Sequence, residues 1–478
     1  HGDEAGHGHG AGAEGHGHDH GGHHHHHHAP TRMGTATAVM LLGFVAFVML
    51  LFYLVNWHDK DIRQYTWIVI SSTVSIFCAV LMFSAVAESM DYWSEALGID
   101  DIYADFCLFL ILWFVTQGFL HIFKRNFPPL KAFGTVGAHI TGFAAIHVFL
   151  GLQVSRPFGD SPAMGLLVIF IFIGVSSLLV FVGEKMRGHV GRVDGTVDEA
   201  DHHWFEQCEE TEDDAIGLCL SALVCVEIRF IITGETPTPH GAMEGRTEWE
   251  VVLIYLVAVL FAFLAAGATS VLRRWKQMAA NQRKVGFALE RAADIVAIFL
   301  GLGMSWCLYF GSQWWFFILV KDSSMQGVTG KMAEAFCISI LCMLMVFVLD
   351  KIGDGHQDYV KACRGMITSL GLLVGISWEN AFNMAVDEVA TAMGSKSFIK
   401  NVLALLLVGL VLPAWRLYIL PKSDEEVQDC YKKKIPPLTA LCCYYDPEKD
   451  SHLSKSELLA RLGVPSDDGY ENVPKQHH

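Results

Sequence analysis

Residues 163–183 read AMGLLVIFIFIGVSSLLVFVG and contain no charged side chain. A helix of about 20 apolar residues is long enough to cross the hydrocarbon core of a bilayer, which is roughly 30 Å thick. An unbroken apolar run of this length predicts a helix, because a helix satisfies its backbone hydrogen bonds internally in lipid. The stretch therefore indicates a membrane-spanning α-helix.

Similar runs recur along the chain of 478 residues, of which 52% are hydrophobic and 18% are charged. We predict an all-α fold, a polytopic transmembrane helix bundle of about eleven spans. A His/Gly-rich segment (1–36) precedes the transmembrane helical domain (37–420), and a cytosolic tail (421–478) follows it. The predicted spans are 37–57, 65–88, 105–123, 132–153, 163–183, 214–233, 250–271, 292–319, 334–350, 365–386 and 399–419.

Basic residues in the connections predict the orientation of the bundle. Connections on one side contain 22 lysines and arginines, whereas those on the other side contain six. Because basic connections stay in the cytosol, we expect the N-terminus outside or in a lumen and the C-terminus in the cytosol. The chain is thus expected in the plasma membrane or an endomembrane, and its net charge of −16 argues against nucleic-acid binding.

The even-numbered spans differ in character from the odd-numbered ones. Three even spans carry an acid toward the predicted outer half, at Glu88, Glu227 and Glu379, whereas odd spans are mostly plain apolar. This difference predicts a core of even helices surrounded by odd helices that face lipid. Transporters are often built from such repeats, and a repeated helical hairpin would explain the alternation.

Glu227 and Arg229 lie well inside the sixth predicted span. A charge at that depth costs several kcal/mol unless it is paired or hydrated. Residues at i and i+2 do not face each other on a helix, so each needs its own partner. The functional interpretation is an ion or proton path, and the structural alternative is a set of interhelical salt bridges.

Glu379 is a second candidate for an ion path, on a span that carries Gly371 and Gly375 at small-xxx-small spacing. That spacing predicts close helix packing. The alternative is an acid near the headgroups, since Asp387 and Glu388 follow. Glu88 is placed near the end of its span, where it would begin a solvated acidic loop.

His139 and His147 in the fourth span complete the candidate residues for a transport path. Histidine relays protons near neutral pH, although a buried histidine is more often a hydrogen-bonded packing residue. Inside the predicted spans we find no HxxxD or HxxxE pair, which weakens a transition-metal path. We also find no Walker A, GxSxG or HExxH motif, and we do not expect an enzyme.

Twelve histidines fall within residues 1–28. Neutral imidazole binds zinc and copper, so this segment is a candidate metal-binding region. Histidine is already interleaved with glycine upstream of the run His23–His28, so we favour a natural segment over the alternative of an expression tag. A second polar segment, VDEADHHWFEQCEETEDD at 197–214, is strongly acidic. We interpret it as a solvated cytosolic linker, with cation binding as the alternative.

The stretch YYDPEKDSHLSKSELLARLG in the tail resembles an EF-hand loop with its exit helix. The resemblance implies a calcium site at 446–457, with oxygen ligands where the family places them. Ser451 stands where the family has glycine, and Pro436 and Pro437 weaken the entering helix. The implied metal ligands are Asp446, Glu448, Asp450, His452 (through its backbone carbonyl), Ser454 and Glu457.

These features predict a channel or secondary transporter for a small ion, modulated by calcium through the tail. One alternative is a transition-metal transporter supplied by the His-rich segment. Another is a non-transporting structural subunit of a membrane complex. The expected partners are the lipid bilayer, the small ion, and either further copies of this chain or other subunits of a membrane complex.

Overall fold

A computed structural model of the chain describes residues 32–191, 199–235, 245–279, 286–320, 327–355, 359–393, 396–424 and 427–428. Every regular element in these ranges is a helix, which confirms the predicted all-α class. The helices are α1 (Arg32–Val55), α2 (Lys60–Leu97), α3 (Asp101–Phe123), α4 (Phe127–Val154), α5 (Pro162–Val190), α6 (Glu199–Thr233), α7 (Glu248–Ala279), α8 (Gly286–Val320), α9 (Val328–Gly355), α10 (Val360–Ala392), α11 (Lys396–Ala414) and the short α12 (Leu420–Ser423).

Ten of the described helices, α2 to α11, are long and apolar enough to cross a membrane. The remaining predicted span is the first, 37–57, which corresponds to α1, whose described apolar stretch, Leu41–Val55, is shorter. The helices given above extend from Arg32 at the start of α1 to Ser423 at the end of α12.

The even-numbered helices form a closed ring. α2 packs against α4, α4 against α6, α6 against α8, α8 against α10, and α10 against α2. Each of α3, α5, α7 and α9 packs against the even helix that follows it and the one that precedes it, and α11 packs against α10 and α2. The predicted core of even helices is therefore confirmed, and the arrangement is a ring of helical hairpins.

Burial follows the same alternation. The most apolar window of α10 is 72% buried within the protein, whereas that of α11 is 17% buried. The odd helices accordingly carry much of the exposed apolar surface, including Phe170 and Phe181 on α5 and Phe263 on α7. An apolar exposed face on a peripheral helix is what a lipid-facing position requires.

The glycines of α10 bring it close to α2, as their spacing predicts. A Cβ at Gly371 would lie 2.5 Å from Cβ of Ser72, and a Cβ at Gly375 would lie 3.1 Å from the carbonyl oxygen of Thr73. The hydroxyl of Thr73 donates a hydrogen bond to the carbonyl of Gly371, at 3.2 Å. Small residues thus permit the backbone contact that joins the two ends of the ring.

Two stretches that we predicted as loops are helical, so these two predictions are wrong. α2 continues to Leu97, so Glu88 lies within a helix and does not begin an acidic loop. The acidic stretch predicted as a solvated linker is also helical, because α6 begins at Glu199 and buries Asp201, Glu212 and Asp213. These parts extend spans beyond the length needed for a bilayer, and α6 does so toward the predicted cytosolic side.

Candidate ion site and buried charge networks

A narrow cleft lies between α2, α10 and α11, and Glu379 is its buried acid. Glu379 is 6% exposed. The cleft is lined by Ser84 of α2, by Glu379 and Asn383 of α10, and by Lys400 and Asn401 of α11, together with apolar neighbours. It has room for about one water molecule. We call this the α10–α11 cleft.

One face of α10 carries two polar residues of the cleft, Glu379 and Asn383. Glu379, Asn383 and Asp387 are spaced four residues apart, which places them on one side of a helix. Lys400 lies 3.5 Å from an oxygen of Asp387 and forms an ion pair with it.

Side-chain oxygens of Glu379 and Asn401 receive no hydrogen bond from the described residues. The carboxylate of Glu379 forms no hydrogen bond or ion pair with any described side chain in the structure. The buried side-chain oxygen of Asn401 also has no hydrogen-bond partner among the described residues. Acceptor oxygens without a donor in a buried space favour a proton, a cation or a water molecule beside them.

The two residues that flank Glu379 in the sequence anchor α10 to neighbouring helices. Asn380 donates a short hydrogen bond to the hydroxyl of Tyr309, which also accepts from Gln313 at 2.7 Å. The indole of Trp378 donates to the hydroxyl of Ser339 at 2.9 Å. These bonds fix the rotation of α10 against α8 and α9, so that Glu379 is directed toward α11.

Glu227 lies elsewhere, between α4, α5 and α6. Its side chain is 3% exposed and accepts a hydrogen bond from the amide nitrogen of Gln153 at 2.6 Å. Gly165 of α5 packs against the carboxylate so closely that a Cβ at this position would overlap it. Glu227 and Glu379 therefore do not share one cavity in this conformation.

Arg229 faces a different helix from Glu227, as their spacing predicts. Its guanidinium stacks on the ring of Phe310 in α8, at 4.0 Å from the ring centroid. A guanidinium over an aromatic face is a favourable way to hold a cation in a buried position. The structure thus places Glu227 and Arg229 on opposite sides of α6.

The remaining path candidates are dispersed over α2 and α4. Glu88 is half-buried on α2. His147 lies 3.3 Å from a carboxylate oxygen of Asp105 in α3, and its ring meets Phe83 edge-on. His139 is half-buried on α4, and its Nδ1 has no hydrogen-bond partner among the described residues. The structure does not bring these side chains to the α10–α11 cleft.

A buried charge network joins α3, α5, α6 and α8 at the predicted cytosolic side. Glu212 accepts hydrogen bonds from Arg187, from Gln117 at 2.8 Å and from Arg291 at 2.7 Å, while Arg291 also pairs with Asp213 at 2.7 Å. Two arginines face two carboxylates, so the network is electrically balanced. This pairing makes the buried charge of α6 tolerable.

More exposed ion pairs flank this network. Lys124 pairs with Asp201 and Lys131 with Glu210, each at 2.6 Å. Together the pairs explain why the acidic stretch is helical, since basic residues at the ends of α3, α4, α5 and α8 neutralise it. At the same side, Asp61, Asp350 and Asp354 place carboxylate oxygens within 4.8 Å of one another.

The histidines of 1–28 and the EF-hand-like loop 446–457 lie outside the described residues. The zinc, copper and calcium sites expected there stay predictions. Within the described residues, the nine cysteines are free thiols.

The polar face of α10 and the helical acidic part of α6 were not predicted, although the sequence contains a pattern typical of each. The E-x3-N-x3-D spacing of 379, 383 and 387 predicts a polar face on α10. In the acidic stretch, the buried positions 201, 204, 208, 211 and 215 recur at helical spacing, which argues for a packed helix. No comparable signal connects either feature to its partners on other helices.

Comparisons with protein-family models, with curated proteins and with solved structures find no match to this chain.

Proposed function

We propose that this chain is a transport protein for a small cation, with Glu379 as the binding carboxylate in the α10–α11 cleft. One observation carries the proposal: a buried carboxylate on a ring helix lines a small cleft and is left without a hydrogen bond from the described residues. Ionisable residues inside membrane spans are expensive to bury and mark ion or proton pathways by default.

The charges of the cleft favour a cation over an anion. Asp387 and Lys400 balance each other through their ion pair, which leaves the charge of Glu379 for the substrate. Asn383, Asn401 and Ser84 line the same space. Amide and hydroxyl oxygens, which these side chains carry, are hard ligands suited to a proton, hydronium or alkali cation.

The size of the cleft restricts the substrate further. Room for about one water molecule admits a proton or a dehydrated monovalent ion and excludes an organic solute. Apolar clusters continue through the ring helices and adjoin at Phe143, Ile146 and Val224. Such packing supports a gated path, as in a secondary transporter, over a permanently open pore.

The test is cation flux in proteoliposomes that contain the full chain, with protons, sodium and potassium offered in parallel. Glu379→Gln should reduce the flux at least tenfold while the protein stays monodisperse and helical. Glu334→Gln is the matched control, because Glu334 is a buried acid of α9 that already pairs with Lys331 at 2.9 Å. Equal flux from the wild type and Glu379→Gln would reject the proposal.

A structural subunit is the second candidate, and the balanced network around Glu212 favours it. Buried charges that are all paired hold helices in one register and need no transported ion. The same flux assay separates the two candidates, because a structural subunit gives no cation flux above that of empty liposomes.

A transition-metal transporter receives less support from the described spans. The group of closely spaced potential ligands found there, Asp61, Asp350 and Asp354, is made of hard carboxylates at a helix end. Calcium modulation through 446–457 and metal capture by the N-terminal histidines are retained as additional proposals on the sequence evidence alone.

A further inference from the structure

Gln153 and Glu227 present an imbalance of hydrogen-bond donors and acceptors between α4 and α6. The amide nitrogen of Gln153 donates to Glu227 Oε1 at 2.6 Å and to the backbone carbonyl of Leu223 at 3.2 Å. Both amide hydrogens are therefore used. The second carboxylate oxygen of Glu227, Oε2, and the amide oxygen of Gln153, Oε1, are buried and without a hydrogen-bond partner among the described residues.

The orientation of the amide is fixed by its neighbours. If the amide group of Gln153 were turned over, its oxygen would face both the carbonyl of Leu223 and the carboxylate of Glu227. Three acceptors would then meet without a hydrogen between them. The carbonyl of Leu223 thus keeps the amide nitrogen toward Glu227 Oε1, and the unsatisfied pair consists of two acceptors.

No described cation balances the carboxylate. Arg229 on the same helix points to Phe310 in α8. Arg156 and Asp160, in the connection between α4 and α5, are exposed and lie 3.6 Å from each other. The part of α5 that faces Glu227 is Gly165, which brings backbone and no charge. The elements packed around Glu227 therefore supply one amide and no counter-ion.

We propose that Glu227 is a proton-binding site, in which a neutral carboxylic acid forms a cyclic hydrogen-bonded pair with the amide of Gln153. A proton on Oε2 donates to Gln153 Oε1, while Gln153 Nε2 donates to Glu227 Oε1. One proton satisfies both orphaned oxygens and removes an uncompensated charge from the bundle. Gly165 provides the space that this pair occupies.

The Glu227 site is separate from the α10–α11 cleft. Glu227 binds this proton in the resting protein whether or not the chain transports a cation. Release of the proton would leave a buried charge against α5. The site therefore couples proton occupancy to the packing of α5 on α4 and α6.

The experiment is infrared spectroscopy of the full chain in lipid at neutral pH. A protonated carboxylic acid gives a C=O stretching band that is separate from the amide and carboxylate bands and shifts in heavy water. We expect Glu227→Gln to remove one such band, whereas Glu334→Gln, which alters an ion-paired acid, should not remove it. Retention of every carboxylic acid band in folded Glu227→Gln would overturn the proposal.

Two further variants keep the test decisive if Glu227→Gln fails to fold. Gln153→Leu should shift the band to higher frequency, because the acid loses both bonds of the cyclic pair. Gly165→Ala should also shift the band, since its Cβ displaces the carboxyl group, whereas Gly174→Ala on the same helix meets open space and should not. An unchanged band in both Gln153→Leu and Gly165→Ala would contradict the assignment to Glu227.

Discussion

Glu212→Gln is the perturbation that tests the buried charge network most sharply. Glu212 is 2% exposed in its side chain and receives hydrogen bonds from Arg187, Arg291 and Gln117. The substitution keeps the size of the side chain but removes one of two negative charges that face two arginines. Asp213 still pairs with Arg291, so the unbalanced charge falls on Arg187, which is 4% exposed in its side chain.

Breaking a buried ion pair by removing one partner costs about 3–5 kcal/mol, because the other charge stays buried. We expect Glu212→Gln to lower the free energy of unfolding by about 3 kcal/mol, which is a factor of roughly 100 in the unfolding equilibrium. Denaturant titration in mixed micelles, followed by circular dichroism, measures this change.

Glu210→Gln is the matched control on the same helix. Glu210 pairs with Lys131 at 2.6 Å but is 46% exposed in its side chain, so solvent screens the pair. Its loss should lower the free energy of unfolding by less than about 1 kcal/mol. Equal effects of the two substitutions would show that the acidic part of α6 is solvated, and would refute the packing described for it.

Three further predictions concern packing, orientation and the tail. Gly371→Ala should lower the free energy of unfolding by about 1–3 kcal/mol in the same micelle titration, because its Cβ would lie 2.5 Å from Ser72, whereas Gly365→Ala, which meets open space, should be far milder. A cysteine at His240 should react with an impermeant reagent from outside and one at Gln282 should not; the reverse pattern would contradict the predicted orientation. Calorimetry of the full chain should detect weak calcium binding, with a dissociation constant on the order of 10⁻⁵ to 10⁻³ M, that Glu457→Gln abolishes. Equal calcium heats from both proteins would remove the EF-hand interpretation.

The core of even helices could be predicted because three of the even spans carry an acid and the odd spans between them are mostly apolar. Glu227 and Glu379 cannot be placed in lipid, so the helices that carry them must face other helices. The same reasoning holds for Gly371 and Gly375, whose spacing describes one face of a single helix. Properties that belong to one helix are therefore visible in the sequence.

The partners of these residues could not be predicted because they lie far away along the chain. Gln153 is 74 residues from Glu227, and Arg187 and Arg291 approach Glu212 from two different helices. The acidic stretch looked like a linker because its charges were counted without the basic residues that neutralise them. A single sequence shows which residues share a face of one helix. It does not show which face of another helix packs against them.

Access to the α10–α11 cleft tests the central claim most directly. Asn383→Cys places a thiol in the cleft, and silver, a small thiol-reactive monovalent cation, can be added from the predicted outer side during a flux measurement. Ala385→Cys is the control, because Ala385 packs on the other face of α10, against the cluster that contains Met332. We predict rapid inhibition of Asn383→Cys, slowed by an excess of the transported cation, and little effect on Ala385→Cys. Inhibition of both variants at equal rates, or of neither, would contradict a cation path through Glu379.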